Sequence, residues 1–199
     1  MSESLKQKME HYEEITSMSQ LARRYFVMNT FDGTLTMFGV LLGAFLAGLS
    51  DAHIILTLGL GAGAAIFVSG VWGTYLAERA ERTKSRRDLE KKMLRSLDKT
   101  DISEAENFAT IYISLIDGLS PLLAILLLLT PFFLVIFTII SMNFAYLLSF
   151  GLCLVLFVLL GLFLAKLSKE NLFFSAIKTV FVGIVCAGII YGISVLTAT

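Results

Sequence analysis

Two carboxylates, Asp32 and Asp117, stand inside long stretches that are otherwise almost free of charge. An ionisable group in hydrocarbon costs about 2.5–3.5 kcal/mol at the centre of a helix, so such a group marks a candidate functional site. Asn29, Asp32 and Thr36 follow i, i+3, i+7 spacing and share one helix face. Met28 precedes Asp32 by one turn and Met37 lies just beyond it. Carboxylate, amide and hydroxyl oxygens suit hard cations, and a thioether widens tolerance toward softer transition metals. Asp117 stands four residues before Pro121, which has no N–H to bond the Asp117 carbonyl. A carboxylate beside a freed carbonyl is a common way for transporters to hold an ion. The candidate metal ligands are therefore Asp32 and Asp117, with Asn29, Thr36 and Met28 or Met37 as auxiliaries. Glu78, Glu81 and Glu90 are candidates at a cytoplasmic mouth, although nearby Lys and Arg equally suit a solvated, salt-bridged helix. No nucleophile–base pair or metalloprotease motif occurs, so no catalytic residue and no enzyme is expected. No permanently bound cofactor is expected either.

These residues need helices that cross a membrane. The chain is 56% apolar and 16% charged, against about 45–50% and about 25% in soluble domains. Stretches 25–49, 53–77, 108–138, 143–165 and 172–197 are almost wholly uncharged. Each exceeds the roughly 20 residues that cross hydrocarbon as a helix. Their apolar runs are continuous rather than alternating, which favours helices over barrel strands. The stretch 108–138 reads as one long span that bends or ends near Pro131. The fold class is all-α, a polytopic membrane protein of five transmembrane helices. The division is a cytoplasmic segment 1–24, spans one and two over 25–77, a helical cytoplasmic linker 78–107, and spans three to five over 108–199. The linker is rich in Glu, Lys, Arg, Leu and Ala and should extend the second span from Ala77 to Leu97. Ser103 and Glu106 have capping-box spacing for the opening of the third span.

Basic residues set the orientation. Fifteen of the sixteen Lys and Arg fall in the N-terminal segment, the linker or the turn holding Lys166 and Lys169. By the positive-inside rule these are cytoplasmic, with the N-terminus inside and the C-terminus opposite. On that topology Asp32 lies about 12 Å past Arg24 and Asp117 about 16 Å past Glu106 along their helices, at similar depth. They could then share one metal. Small residues recur every four positions at Gly39, Gly43 and Ala47, at Gly61, Ala65, Ser69 and Gly73, and at Gly188 and Gly192. Such ladders let helices approach closely, within the chain or in a homodimer. A net charge of zero points to no nucleic-acid partner.

The segment Arg24-Tyr-Phe-Val-Met-Asn-Thr-Phe-Asp-Gly-Thr-Leu-Thr-Met-Phe-Gly-Val-Leu-Leu-Gly43 resembles the first helix of the vacuolar iron transporter family. Gly73-Thr-Tyr-Leu-Ala-Glu-Arg-Ala-Glu81 resembles that family's second-helix exit, Gly-Glu-Tyr-Val-Ser, and Gly161 to Ser194 its final helix pair. The resemblance implies a dimer of five-helix subunits that moves Fe²⁺ or Mn²⁺ out of the cytoplasm, coupled to protons, with Asp32 on the path. The family's Glu in Gly-Glu-Tyr falls on Thr74 here, and a Met four residues earlier falls on Gly70. Asp117 is the candidate to supply the missing charge. Rival readings are a non-transporting assembly or regulatory protein and an exporter of another cation.

Overall fold

The computed structural model describes residues 2–97, 100–169 and 171–197. Among them are six helices and no strand: α1 (Ser2–Thr16), α2 (Met18–Leu46), α3 (Ala52–Met93), α4 (Asp101–Ile136), α5 (Met142–Ser168) and α6 (Leu172–Thr197). Helices α2 to α6 are each long and apolar enough to cross a membrane. Many of their large apolar side chains, such as Leu123, Leu147, Leu154 and Phe181, are exposed. Outward apolar faces on this scale suit hydrocarbon rather than water. The chain is an integral, multi-pass, all-α membrane protein.

The turns between helices are closed by local chemistry. Ser17 adopts a left-handed φ of 49° between α1 and α2, where the Glu13 carboxylate accepts the Ser19 N–H at 2.9 Å. Gly48, with φ 72°, ends α2, and the Asp51 carboxylate opens α3 by accepting the His53 N–H at 2.8 Å. Helix α3 continues out of its apolar stretch and stops at Met93, short of the expected Leu97. Glu90 Oε1 accepts the Leu97 N–H at 2.8 Å, so the chain turns under that carboxylate instead of extending the helix.

One expectation at the third span needs correction. Helix α4 opens at Asp101, so Ser103 and Glu106 lie inside it rather than forming its cap. Both side chains are taken by α3: Arg86 Nη1 donates to Ser103 Oγ at 2.6 Å and lies 3.9 Å from Glu106 Oε2. The third span is one long helix, as expected; it passes through Pro131 and ends five residues later at Ile136. Unsatisfied backbone groups cost several kcal/mol each in hydrocarbon, so leaving the helix is worse than the roughly 3 kcal/mol of an interior proline.

The described chain falls into two compact units, 1–26 with 67–119 and 27–66 with 120–199. In the first, Tyr12 and Met18 pack on Ala105, Ala109 and Ile113 of α4. In the second, Met37, Leu41, Ile55, Ile125, Leu128, Phe132, Tyr146 and Phe157 form the core. Polar groups there are tied across helices. Tyr146 Oη donates to the Leu49 carbonyl at 3.0 Å, Ser149 Oγ to that of Leu128 at 2.9 Å, and Thr179 Oγ1 to that of Phe157 at 2.9 Å. Gly33 lets α2 approach α4: a Cβ there would lie 2.6 Å from the Pro121 Cα and carbonyl oxygen.

Of the small-residue ladders, Gly39 faces Ile190, whereas Gly43, Gly61, Gly73, Gly188 and Gly192 would meet nothing within 4 Å. Most ladder glycines thus leave open space, and the close approaches use Gly33, Gly59, Gly70, Gly118 and Gly161 instead.

Candidate functional site

The unit formed by 1–26 and 67–119 contains Asp117, which is 5% exposed. A stripe on α3 at four-residue spacing runs Gly70, Thr74, Glu78, Arg82, Arg86. A Cβ on Gly70 would sit 3.0 Å from the Gly118 Cα and 3.2 Å from Asp117 Oδ2. A Cβ on Gly118 would sit 2.7 Å from the Phe67 carbonyl oxygen. Two glycines thus bring the α3 and α4 backbones together and leave the space that Asp117 occupies. One turn along α3, Thr74 Oγ1 donates to Asp117 Oδ2 at 2.7 Å. One turn further, Glu78 is buried and held from two sides. Tyr25 Oη donates to its Oε1 at 3.2 Å, and Arg82 Nε to its Oε2 at 3.2 Å. Thr74, Tyr25 and Glu78 therefore make a polar path from Asp117 toward the linker.

Tyr25 and Thr74 were not among the expected ligands. The signal for Thr74 was present in the Gly70–Thr74–Glu78 spacing, whereas Tyr25 comes from another helix and left no local sign. Glu78, Glu81 and Glu90 do not converge. Glu78 is engaged as described, Glu81 is exposed, and Glu90 accepts the Leu97 N–H.

The unit formed by 27–66 and 120–199 contains Asp32. Met28, Asp32 and Thr36 are exposed and Asn29 is half-buried, all within one sector of α2. Gly39, beside Ile190, and Gly43 extend the same sector toward the far end of the helix. Met37 lies on the opposite side, fully buried in the core beside Gly59. The structure therefore brings Met28, Asn29 and Thr36 to the Asp32 face and takes Met37 away from it. Among the described residues Asp32 has no hydrogen bond or ion pair.

The two Asp-Gly pairs, Asp32-Gly33 and Asp117-Gly118, use glycine alike and aspartate oppositely. Each glycine is pressed against a neighbouring helix, but Asp117 is buried and bonded while Asp32 points outward. Among the described residues no three His, Cys, Asp or Glu side chains gather closely enough to hold a metal ion.

A family model described as the VIT family matches residues 23–120, a segment that contains Asp32, Gly70, Thr74 and Asp117. The uncharacterized protein MJ0645 of Methanocaldococcus jannaschii is 35% identical over 160 residues, covering 79% of this chain and 80% of that one.

Proposed function

The chain belongs to the VIT family, the vacuolar iron transporter family, and on that footing we propose that it exports Fe²⁺ or Mn²⁺ from the cytoplasm in exchange for protons. The family points to metal-ion transport rather than catalysis. The observation that carries the finer reading is the exposed sector of α2 with Met28, Asn29, Asp32 and Thr36. A carboxylate on the outside of a spanning helix cannot rest against lipid without heavy cost. A second copy of the chain, set against the same sector, would enclose it. Gly43, where a Cβ would meet nothing within 4 Å, would let the two α2 helices approach closely on one side of the bilayer. Around Asp32 the larger polar side chains would hold them apart, leaving a water-lined path with a carboxylate from each subunit. Carboxylate, amide and hydroxyl oxygens with a methionine sulfur suit a divalent first-row transition ion better than Ca²⁺ or Mg²⁺.

The test is metal flux into proteoliposomes across Fe²⁺, Mn²⁺, Zn²⁺, Ca²⁺ and Mg²⁺, with a lumenal pH dye. Fe²⁺ or Mn²⁺ flux with opposite proton movement is expected. Flux of none of the five ions would leave an assembly or regulatory role as the reading. Flux confined to Ca²⁺ or Mg²⁺ would make the protein an exporter of another cation.

Two further outcomes follow. In mild detergent, light scattering should give the mass of two copies, and a single-copy mass would remove the shared path. A cysteine introduced at Ser85, on the linker part of α3, should resist membrane-impermeant thiol reagents in intact cells. Labelling of that cysteine from outside would reverse the topology and the direction of export.

A further inference from the structure

Helix α3 spans 42 residues, about 63 Å at 1.5 Å per residue, twice the roughly 30 Å hydrocarbon thickness. Its outer portion must stand beyond the hydrocarbon, and its side chains are sorted there by charge. On the side facing α4, Arg82 is paired with Glu78, and Arg86 is bound to Ser103 and Glu106. Further round the helix Lys84, Arg87 and Lys91, with Arg79 at the near edge, are all exposed and together with Asp88 line a shallow trough of about 570 Å³. Among the described residues Lys84 and Arg87 form no ion pair, and Lys91 has only a 3.9 Å contact with Asp88, both well exposed. The basic excess of the linker is therefore concentrated on one outward face.

That face begins at a membrane-boundary marker. Trp72 is 64% exposed, and its ring centroid lies 6.0 Å from that of Tyr75. The Arg79 guanidinium sits 5.8 Å from the Tyr75 ring centroid and donates to its hydroxyl at 3.1 Å. Exposed Trp and Tyr collect where hydrocarbon meets headgroups. With Tyr75 at that boundary, Arg79 lies about 6 Å further out and Lys84 about 13 Å. The headgroup layer is about 5–7 Å deep and its field reaches roughly 8 Å further. Arg79 thus lies among lipid phosphates and Lys84 within their field. The long side chain of Arg87 can fold back toward them.

We propose that the outward face of α3 from Trp72 to Arg87 is a binding site for the anionic headgroups of phospholipids in the leaflet beside the linker. Charge complementarity selects this occupant. A second copy on the same face would set Arg79, Lys84 and Arg87 against their own counterparts, and a zwitterionic lipid offers no net charge to match. Basic clusters just outside a transmembrane helix attract anionic lipid in this way. The site is separate from the metal path and does not depend on the transport reading.

Trp72 is the only tryptophan in the chain and reports on the site directly. The protein would be reconstituted into phosphatidylcholine vesicles containing an equal fraction of either phosphatidylglycerol or phosphatidylcholine brominated near the top of the acyl chain. Brominated phosphatidylglycerol should quench Trp72 at least about twice as strongly as the brominated zwitterionic lipid, and 0.5 M salt should shrink the difference. The triple variant Arg79→Gln, Lys84→Gln, Arg87→Gln should quench equally with both lipids. Its emission maximum in plain phosphatidylcholine, unchanged from the unaltered protein, checks that it has folded. Equal quenching in the unaltered protein, or a preference that survives the triple variant, would overturn the proposal. So would a spontaneous disulfide between copies at Thr83→Cys, because a second subunit would then occupy the face.

Discussion

Asp32→Asn should lower metal flux into proteoliposomes by at least about tenfold, corresponding to about 1.4 kcal/mol of lost interaction with the ion. Asparagine keeps the shape of the side chain and removes its charge. Within the subunit Asp32 has no described partner to lose, and it lies on an exposed face. The substitution should therefore leave folding and the two-copy mass unchanged. This separates the two roles an intramembrane carboxylate can have. A carboxylate that only ties helices together needs a hydrogen-bond partner, and asparagine could serve as well. A carboxylate that meets a divalent cation cannot be replaced by a neutral amide without loss. Glu90→Gln provides the contrast, because the amide oxygen can still accept the Leu97 N–H and no ion is assigned to it. Flux there should stay within about twofold of the unaltered protein, as for a surface substitution away from any site. Normal flux in Asp32→Asn, at equal protein incorporation, would remove Asp32 from the path while leaving the fold intact.

The spans were legible because the bilayer imposes a length that few other constraints imitate. Runs of apolar residues long enough to cross it lie within the helices α2 to α6, although α3 runs sixteen residues past its apolar stretch. Helix ends were harder to read. Ser103 and Glu106 have the spacing of a capping box, but the same two side chains can serve a neighbouring helix, and Arg86 takes both. Pro131 reads as a bend or an end by rules drawn from water, where a broken helix can bond to solvent. Hydrocarbon offers no such alternative, and α4 continues past it.

The two aspartates show where local sequence runs out. Phe31-Asp32-Gly33 and Ile116-Asp117-Gly118 are nearly the same words. Their burial differs because each depends on which neighbour fills the space beside the helix. At Asp117 that neighbour is α3, admitted by Gly70 and Gly118. Gly70 reads in sequence as the loss of a family methionine. In the structure its missing side chain is what makes room for a carboxylate from another helix. Met37 is the reverse case. Closeness in sequence to Asp32 made it a candidate, but helix phase turns it into the core.

That geometry leads to a prediction about where the charge must be. Asp117 Oδ2 lies 2.7 Å from the hydroxyl of Thr74, the position on which the family's glutamate falls. If the family needs a carboxylate at this point rather than on a particular helix, Asp117 supplies it from α4. Asp117→Asn should then lower flux at least about tenfold, as for any lost charged ligand. Thr74→Glu alone should also harm the protein, because two carboxylates would share a buried space and repel. Combining Thr74→Glu with Asp117→Ser exchanges the two functions, carboxylate on α3 and hydroxyl on α4, and keeps one of each. Gly70 and Gly118 leave the close approach of the helices untouched. Flux in the exchanged pair should recover to within about threefold of the unaltered protein, the scale of a modest repacking loss. Both single variants should remain low at equal incorporation. An exchanged pair as inactive as Asp117→Asn, yet folded and of two-copy mass, would tie the charge to α4 itself and sink the compensation. Normal flux in Asp117→Asn would instead reduce Asp117 to a helix tie, with Thr74 as its partner and no part in the ion's path.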